Sequence, residues 1–254
     1  MPAVLNIRRP SPRDTDEVLE EIGRTGFAIV HDLIPKKVAD QVRSRLNAVM
    51  REEISDRARG LGHQRVLHLA VKVPESITLL CDPFVLTTWR KYLGEDMICS
   101  SWTANTLLPG SDTTYWHVDH PYWTIKPPYP TWPMCCMCIW CLDDFTIENG
   151  APAGIPGSHQ RPYLPDMDKQ WVEEAEVLTG PRGSVILADG AWWHTSRPNR
   201  TDQPRVAVIG KYIRSFCTPQ EDLTVQLADI DQPSDELKRL FGAEKYKSQR
   251  GFPY

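Results

Sequence analysis

Residues 117–120 (HVDH) place two imidazoles and one carboxylate within four positions, and all three are side chains that bind metal ions. Side chains alternate between the two faces of a β-strand, so a strand through this segment would place His117 and Asp119 on the same side. His120 would point to the opposite side, and Pro121 indicates that the strand ends there. The sequence therefore predicts two metal ligands here, His117 and Asp119, and a third elsewhere in the chain.

The third ligand must come from a distant residue. The remaining histidines are His31, His63, His68, His159 and His194. His194 follows the β-type run GSVILAD and a short turn, in the half of the chain that is richest in predicted strands, so we predict that it completes the site. Two histidines and one carboxylate leave three positions open on an octahedral ion, which is the facial arrangement of non-haem Fe(II) oxygenases.

The open positions predict a co-substrate. If it is 2-oxoglutarate, its distal carboxylate needs a planar, permanently charged partner, which means arginine. Arg205 opens the run RVAVIGKYI after a turn, and a hairpin would return it beside His194. Arg197 and Arg200 are alternatives, but both lie in the turn itself, where we expect solvent. Ser196 follows His194 by two residues, so it shares the face of that histidine in a strand and can donate to the same carboxylate.

Two regions of different character would position these residues. Up to about residue 95 the sequence is mainly helical: Thr15 caps a helix that ends near Gly26, Pro35 opens a second helix, and a third covers 83–94, with a short strand at 26–32 and a loop at 55–65. Residues 96–215 then contain short β-type runs separated by turn residues. These runs lie near 97–108, 133–142, 151–156, 183–189 and 205–213.

This pattern predicts a mainly β protein with flanking α-helices, of the jelly-roll type. We expect one domain over residues 1–254, with a helical support at about 1–95, a β core at about 96–215 and a peripheral tail at 216–254.

The composition excludes several partners. The net charge is −4 and no segment is strongly basic, so we expect no nucleic acid. No apolar run approaches 18 residues and the N-terminal residues lack the features of a secretory signal, so we expect no membrane partner. Four of the seven cysteines lie within residues 135–141, which is not the spacing of a disulfide framework. We therefore expect a reducing, cytoplasmic location.

Several motifs together resemble the phytanoyl-CoA dioxygenase family of Fe(II)/2-oxoglutarate oxygenases over roughly residues 20–213. They are WHVD at 116–119, IENGAPAGIPGSH at 147–159, HTS at 194–196, LLPG at 107–110 and the eleven-residue step from His194 to Arg205. The resemblance implies a double-stranded β-helix, which is a cupin-like jelly roll. It also implies Fe(II) held by His117, Asp119 and His194, with O2 and 2-oxoglutarate as co-substrates.

The same resemblance assigns further residues. It implies that Arg205 and Ser196 bind 2-oxoglutarate, that Trp140 lies beside it, and that Asn105 and Thr114 are polar neighbours. Aromatic residues near the motif are expected to line the substrate pocket: Tyr122, Trp123, Trp132 and Trp193. Halogenases related to this family replace the carboxylate ligand with a small residue, so Asp119 argues against halogenation.

The expected reaction is oxidation of an unactivated C–H bond of a small molecule, such as a natural product, by hydroxylation or else by desaturation or cyclisation. Two alternatives remain open. A non-catalytic β-helix protein could bind a ligand with the same residues. A zinc site could use the cysteines, because Cys138-x-x-Cys141 has the spacing of metal ligands. However, strand alternation places Cys136 and Cys138 on one face and Cys135 and Cys141 on the other, which favours buried, metal-free thiols.

Overall fold

The structure is a computed structural model that describes residues 13–112, 115–166 and 172–243. Its α-helices are α1 (Thr15–Thr25), α2 (Lys36–Glu53), α3 (Asp56–Leu61), α4 (Leu69–Lys72), α5 (Ile77–Leu80), α6 (Pro83–Leu93) and α7 (Asp235–Leu240). Its strands are β1 (Phe27–Val30), β2 (His63–Val66), β3 (Ile98–Leu107), β4 (Cys135–Cys141), β5 (Pro152–Gly154), β6 (Glu176–Val177), β7 (Val185–Asp189), β8 (His194–Ser196) and β9 (Arg205–Ile213). Single 3-10 turns lie at Pro74–Ser76, Tyr122–Thr124 and Ser158–Gln160, and a longer one at Leu223–Asp229.

The strands form two antiparallel sheets. The larger sheet has the order β1-β7-β4-β9-β3-β2, and the smaller has the order β6-β5-β8. The HVDH segment extends the smaller sheet through one bridge, between His117 and His194 at the start of β8. Apolar residues of the larger sheet pack against residues that flank the strands of the smaller sheet. This inter-sheet core includes Phe27, Met137, Ile139, Ala151, Trp192 and Ala207. This arrangement is the predicted jelly roll.

The outer face of the larger sheet is covered by helices. In α2, Val38, Val42, Leu46 and Val49 recur at helical spacing, and all four are buried in a helix-side core. Alternation along β4 divides its side chains between the two cores: Ile139 and Cys141 face the smaller sheet, whereas Cys138 and Trp140 face the helices. The helices thus stabilise the larger sheet, and its opposite face is left to line the interior.

The structure confirms the five predicted β regions after residue 96 and the three predicted helices, but it differs from the predicted boundaries. Residues 55–65 are not a loop, because they form α3 and most of β2. The sheet begins well before residue 96, since β1 and β2 are its two edges. The segment after residue 216 is not simply peripheral, because α7 buries Leu237 and Leu240 in the helix-side core.

No helix within the described ranges combines the length and the apolar character that crossing a membrane requires.

Candidate metal centre

The structure brings together the three predicted ligands. One ligand atom from each of His117, Asp119 and His194 lies within 4.8 Å of the others, and in the described part of the chain these residues form the one such group of metal-binding side chains. Backbone hydrogen bonds hold them: His117 N donates to His194 O over 3.1 Å, and His194 N donates to His117 O over 3.0 Å. Asp119 N donates to Gly190 O over 2.7 Å. The HVDH segment is therefore attached to both ends of the turn that precedes β8.

The two imidazoles are oriented by carbonyl groups. The Nδ1 atom of His117 lies 3.1 Å from Tyr115 O, and the Nδ1 atom of His194 lies 2.9 Å from Trp192 O. A carbonyl oxygen can only accept, so each Nδ1 carries the proton and each Nε2 presents a lone pair. Burial lowers the pKa of both rings, to about 3 for His194. Both imidazoles are therefore neutral near pH 7, as metal ligands must be.

The carboxylate ligand is paired with a lysine that sequence reasoning missed. The Nζ atom of Lys211 lies 2.5 Å from Asp119 Oδ1, and both side chains are largely buried. Burial is the largest single influence and would raise the pKa of Asp119, but Lys211, His194 and His117 together outweigh it and lower the pKa to about 2. Oδ2 of Asp119 is buried and has no hydrogen-bond partner among the described residues. Because Lys211 follows Arg205 by six positions on one strand, alternation along β9 could have indicated their common face.

These residues fit a divalent ion such as Fe(II). Two neutral imidazoles and one carboxylate are the donors of the facial sites of non-haem iron proteins. A buried carboxylate oxygen without a partner is costly unless something binds it, and Asp119 Oδ2 is such an atom. It belongs to a residue whose ligand atom converges with those of the two neutral histidines.

Arg205 is a buried cation at the start of β9. It is only 4% exposed, its guanidinium lies 4.6 Å from the Phe145 ring centroid, and its Nε has no hydrogen-bond partner among the described residues. Burial lowers its pKa to about 10, so it remains charged at pH 7. A buried charge of this kind needs an anion, and a carboxylate of 2-oxoglutarate fits that need. Ser196 lies on β8 two residues after His194, as predicted.

The connection from β8 to Arg205 is not the predicted hairpin. Strand β8 pairs with β5 in the smaller sheet, whereas β9 pairs with β3 and β4 in the larger one, so the turn crosses between sheets. Asn199 holds this turn: it is buried, and its Nδ2 donates to Leu107 O over 3.1 Å and to Gln203 O over 2.8 Å. Arg205 therefore reaches the interior from the sheet opposite His194.

The other predicted co-substrate residues have different outcomes. Trp140 was predicted to lie beside 2-oxoglutarate. In the structure, alternation along β4 turns its side chain into the helix-side core, away from the interior between the sheets. Asn105 is half-buried on β3 and lies opposite Ala207, a residue of the inter-sheet core, so its proposed role stays a prediction. Thr114 lies outside the described residues.

The four predicted pocket aromatics divide into two pairs. Tyr122 and Trp193 are buried in a third cluster at the metal end of the sheets, and Tyr122 Oη accepts a hydrogen bond from Met134 N over 3.0 Å. Their predicted place in the substrate pocket stays a prediction. Trp123 and Trp132 are exposed at 57% and 45%, so they remain candidates for contact with a substrate.

The structure also shows where the other candidate metal ligands lie, which are His120 and the four clustered cysteines. His120 Nε2 lies 2.8 Å from Thr218 O, which directs it away from the ligand group, as alternation predicted. The four clustered cysteines are all free and buried on β4, with Cys136 and Cys138 in the helix-side core and Cys141 in the inter-sheet core. Among the residues that the structure describes, they do not form a metal-binding group.

A jelly roll with two histidines and one aspartate at one end of its sheets, and a buried arginine on its last strand, is the arrangement of the non-haem Fe(II) oxygenases. Residues 22–207 match the model of the family described as Phytanoyl-CoA dioxygenase (PhyH). The chain belongs to this family of Fe(II)/2-oxoglutarate-dependent dioxygenases. The predicted family, fold class and enzyme class are thus confirmed.

The individual proteins that the chain resembles share less than 30% of its residues over the matched regions. The chain is 27% identical over 191 residues to the dioxygenase af480 of Aspergillus fumigatus, a match that covers 68% of this chain and 61% of that protein. Among solved structures, HygX from Streptomyces hygroscopicus, with nickel and 2-oxoglutarate bound, is 17% identical with a TM-score of 0.67, covering 82% of this chain and 90% of HygX. The epimerase SnoN, in complex with Fe3+, alpha ketoglutarate and nogalamycin RO, is 16% identical with a TM-score of 0.68, covering 88% and 93%.

Proposed function

We propose that this protein uses Fe(II), 2-oxoglutarate and O2 to hydroxylate an unactivated C–H bond of a small natural product. The observation that carries the proposal is the convergence of His117, Asp119 and His194, with both Nε2 atoms and Oδ2 of Asp119 left for a metal. Two structural neighbours support the substrate class: HygX is described with hygromycin B bound, and SnoN with nogalamycin RO. Both of these ligands are small molecules.

The chemistry that bound Fe(II) would supply is oxidation of 2-oxoglutarate by O2 to succinate and CO2, which generates the oxidant for the C–H bond. The residues of this chain hold and orient the reactants. His117, Asp119 and His194 would hold the ion, and three protein ligands would leave coordination positions for the co-substrates. Arg205 and Ser196 bind the distal carboxylate of 2-oxoglutarate, and the desolvated setting of Arg205 strengthens that contact.

The substrate would approach from the exposed aromatic residues beside the metal end. Trp123 lies within the 3-10 turn that follows HVDH, and Trp132 lies edge-to-face with Phe216, with ring centroids 5.8 Å apart. Exposed aromatic side chains of this size favour apolar or planar ligands. We also propose a cytoplasmic location, which the seven free cysteines support.

The test is 2-oxoglutarate turnover. Protein reconstituted with Fe(II) is screened against a library of natural-product intermediates, with succinate release and substrate mass as readouts. We expect one class of compound to stimulate succinate release and to gain one oxygen atom. Asp119→Ala should abolish both, whereas Asp231→Ala, at an exposed position, should change neither.

Two results would count against the proposal. Wild-type protein that neither binds Fe(II) nor releases succinate with any compound contradicts the enzymatic function. An active Asp119→Ala variant contradicts the assignment of the ligands. A product that has lost two hydrogens, rather than gained oxygen, would replace hydroxylation with desaturation or cyclisation.

A further inference from the structure

Lys211 is the one cation that the structure places in direct contact with a candidate metal ligand in the described part of the chain. It lies on β9 opposite Met137 of β4, in the row of side chains that faces the inter-sheet core. Its Nζ lies 2.5 Å from Asp119 Oδ1, and the side chains are 13% and 4% exposed. A lysine turned into a protein interior is costly, so its position calls for a reason.

The two oxygens of Asp119 have different surroundings. Oδ1 accepts from Lys211, whereas Oδ2 is buried and has no partner among the described residues. Asp119 is also one of the three residues whose ligand atoms converge, with His117 and His194. The lysine thus occupies one oxygen of Asp119 and leaves the other without a protein partner among the described residues, available to an ion.

The same contact has two consequences. In metal-free protein, a buried carboxylate without a counter-charge would be strongly destabilising, and Lys211 supplies that charge. In metal-bound protein, an ammonium on Oδ1 prevents that oxygen from joining the coordination sphere. It also repels the divalent ion, which weakens metal binding relative to a site without the lysine.

We propose that Lys211 is a built-in counter-ion of Asp119, which keeps the metal-free site folded and restricts Asp119 to a single coordinating oxygen. This inference rests on the proposed function, because it takes the three converging residues as metal ligands. Lys211 acts on the metal through Asp119, so it is a positioning residue. One-oxygen coordination by Asp119 keeps a position free on the ion for a co-substrate.

The principal test compares wild type with Lys211→Met, which keeps the length and apolar stem but removes the charge. Metal-free Lys211→Met should have a clearly lower Tm, since Asp119 is then buried alone. Its Kd for Mn(II) should fall at least tenfold, because the ion becomes the only cation available to the carboxylate. The electronic spectrum of the Co(II)-loaded variant should also change, because Oδ1 can now coordinate. None of these readouts requires activity.

Two further variants separate a specific effect from general damage. Lys211→Arg retains the charge and should restore the metal-free Tm and the wild-type Co(II) spectrum. Asp119→Asn/Lys211→Met removes both charges and should regain metal-free stability relative to Lys211→Met alone, even if the single variant is unfolded without metal. Lys72→Met breaks a surface ion pair with Glu53 and should change neither the Tm nor Mn(II) binding appreciably.

The outcomes distinguish the two proposals. If wild type binds Mn(II), but Lys211→Met binds it no more tightly and gives an unchanged Co(II) spectrum, the counter-ion role is overturned while the metal site stands. A double variant no more stable than Lys211→Met also overturns it. If wild type binds no Mn(II) or Co(II), the proposed function fails, and this inference fails with it.

Discussion

The indole of Trp192 lies flat against the imidazole of His194, with ring centroids 5.1 Å apart and planes inclined by 9°. The Trp192 carbonyl also accepts from His194 Nδ1, so this tryptophan fixes the ring through both its side chain and its backbone. Gly154 on β5 pairs with His194 across the sheet. A Cβ on Gly154 would lie 1.7 Å from an atom of the indole, which is far below any permitted contact. The glycine is therefore required for the stack.

Gly154→Ala should displace Trp192 and with it the orientation of His194. We expect the affinity for Mn(II) to fall at least tenfold, because a ligand that is out of position by about 1 Å supports a metal poorly. Isothermal titration of metal-free protein with Mn(II) measures this directly.

The control for this substitution is the same chemical change at Gly23. That glycine lies in α1 with nothing within 4 Å of an added Cβ, so alanine should stabilise the helix by about 0.5–1 kcal/mol and leave metal binding unchanged. If Gly154→Ala binds Mn(II) as wild type does, the Trp192 stack does not orient His194.

Arg205→Met should raise the KM for 2-oxoglutarate by about 100-fold, because two charge-assisted hydrogen bonds contribute about 3 kcal/mol together. The variant should not be less stable, since methionine removes a buried cation from beside Phe145 without opening a large cavity. Steady-state succinate release at increasing 2-oxoglutarate gives KM, and thermal unfolding gives the stability.

Arg200→Met is the matched control, because Arg200 is exposed in the turn before β9. Its KM should equal that of wild type. If Arg200→Met raises the KM and Arg205→Met does not, the distal carboxylate is bound by the turn and not by the buried guanidinium.

The features of this site that sequence predicted best are those set by local rules. The prediction that His117 and Asp119 share a face follows from the two-residue alternation of a strand. The segment keeps this alternation although it pairs with the sheet only through the bridge from His117 to His194. The positions of His194 and Arg205 came from strand-like runs that end and begin where the structure places them.

The predictions that were wrong or missing concern features that depend on contacts between residues far apart in the sequence. Alternation placed Trp140 and Cys138 on one face, but it could not tell whether that face meets the helices or the interior. Strand β2 was missed because three of its four residues, His63–Val66, are polar and only the last is β-branched, so pairing with β3 decides their state. Lys211 was overlooked because its partner, Asp119, is distant in sequence.

Asp189 gives the stability of this protein a pH dependence of predictable sign. Burial raises its pKa from 3.8 to about 6, although Tyr92 Oη donates to Oδ2 over 2.7 Å and Ala191 N donates to Oδ1 over 2.6 Å. Below about pH 4 the carboxyl is protonated in both folded and unfolded chains. As the pH rises from about 4 to 6, the unfolded chain releases the proton and the folded chain keeps it, so the free energy of unfolding falls.

Asp189→Asn should remove this dependence, because the amide does not titrate and can replace both hydrogen bonds. The free energy of unfolding of the variant minus that of wild type should increase by about 2 kcal/mol between pH 4 and pH 7. Urea unfolding at a series of pH values measures the difference, in which the contributions of other groups cancel.

Tyr92→Phe tests the cause of the shift. Its hydroxyl stabilises the ionised form of Asp189, so removing it should raise the pKa further and extend the fall in stability above pH 6. A difference between Asp189→Asn and wild type that is constant across this pH range would show that Asp189 ionises normally in the folded protein.

The cysteines of β4 should behave as buried thiols and not as metal ligands. Burial raises the pKa of all four, to about 12 for Cys138 and Cys141, so little reactive thiolate forms. In native protein, a thiol reagent should label Cys217 first and Cys81 more slowly, since these two are only partly buried. All seven thiols should react after denaturation, and Cys138→Ala should retain as much zinc as wild type after purification without chelator.

Stoichiometric zinc that is released as the β4 thiols become reactive would instead support the zinc alternative. Cys138→Ala separates the two cases independently of labelling. If the thiol is only a small buried group, the substitution costs about 1 kcal/mol or less and leaves the metal content unchanged, because alanine loses one atom from a packed strand. If Cys138 binds zinc, the same change should release the metal and destabilise the protein by several kcal/mol.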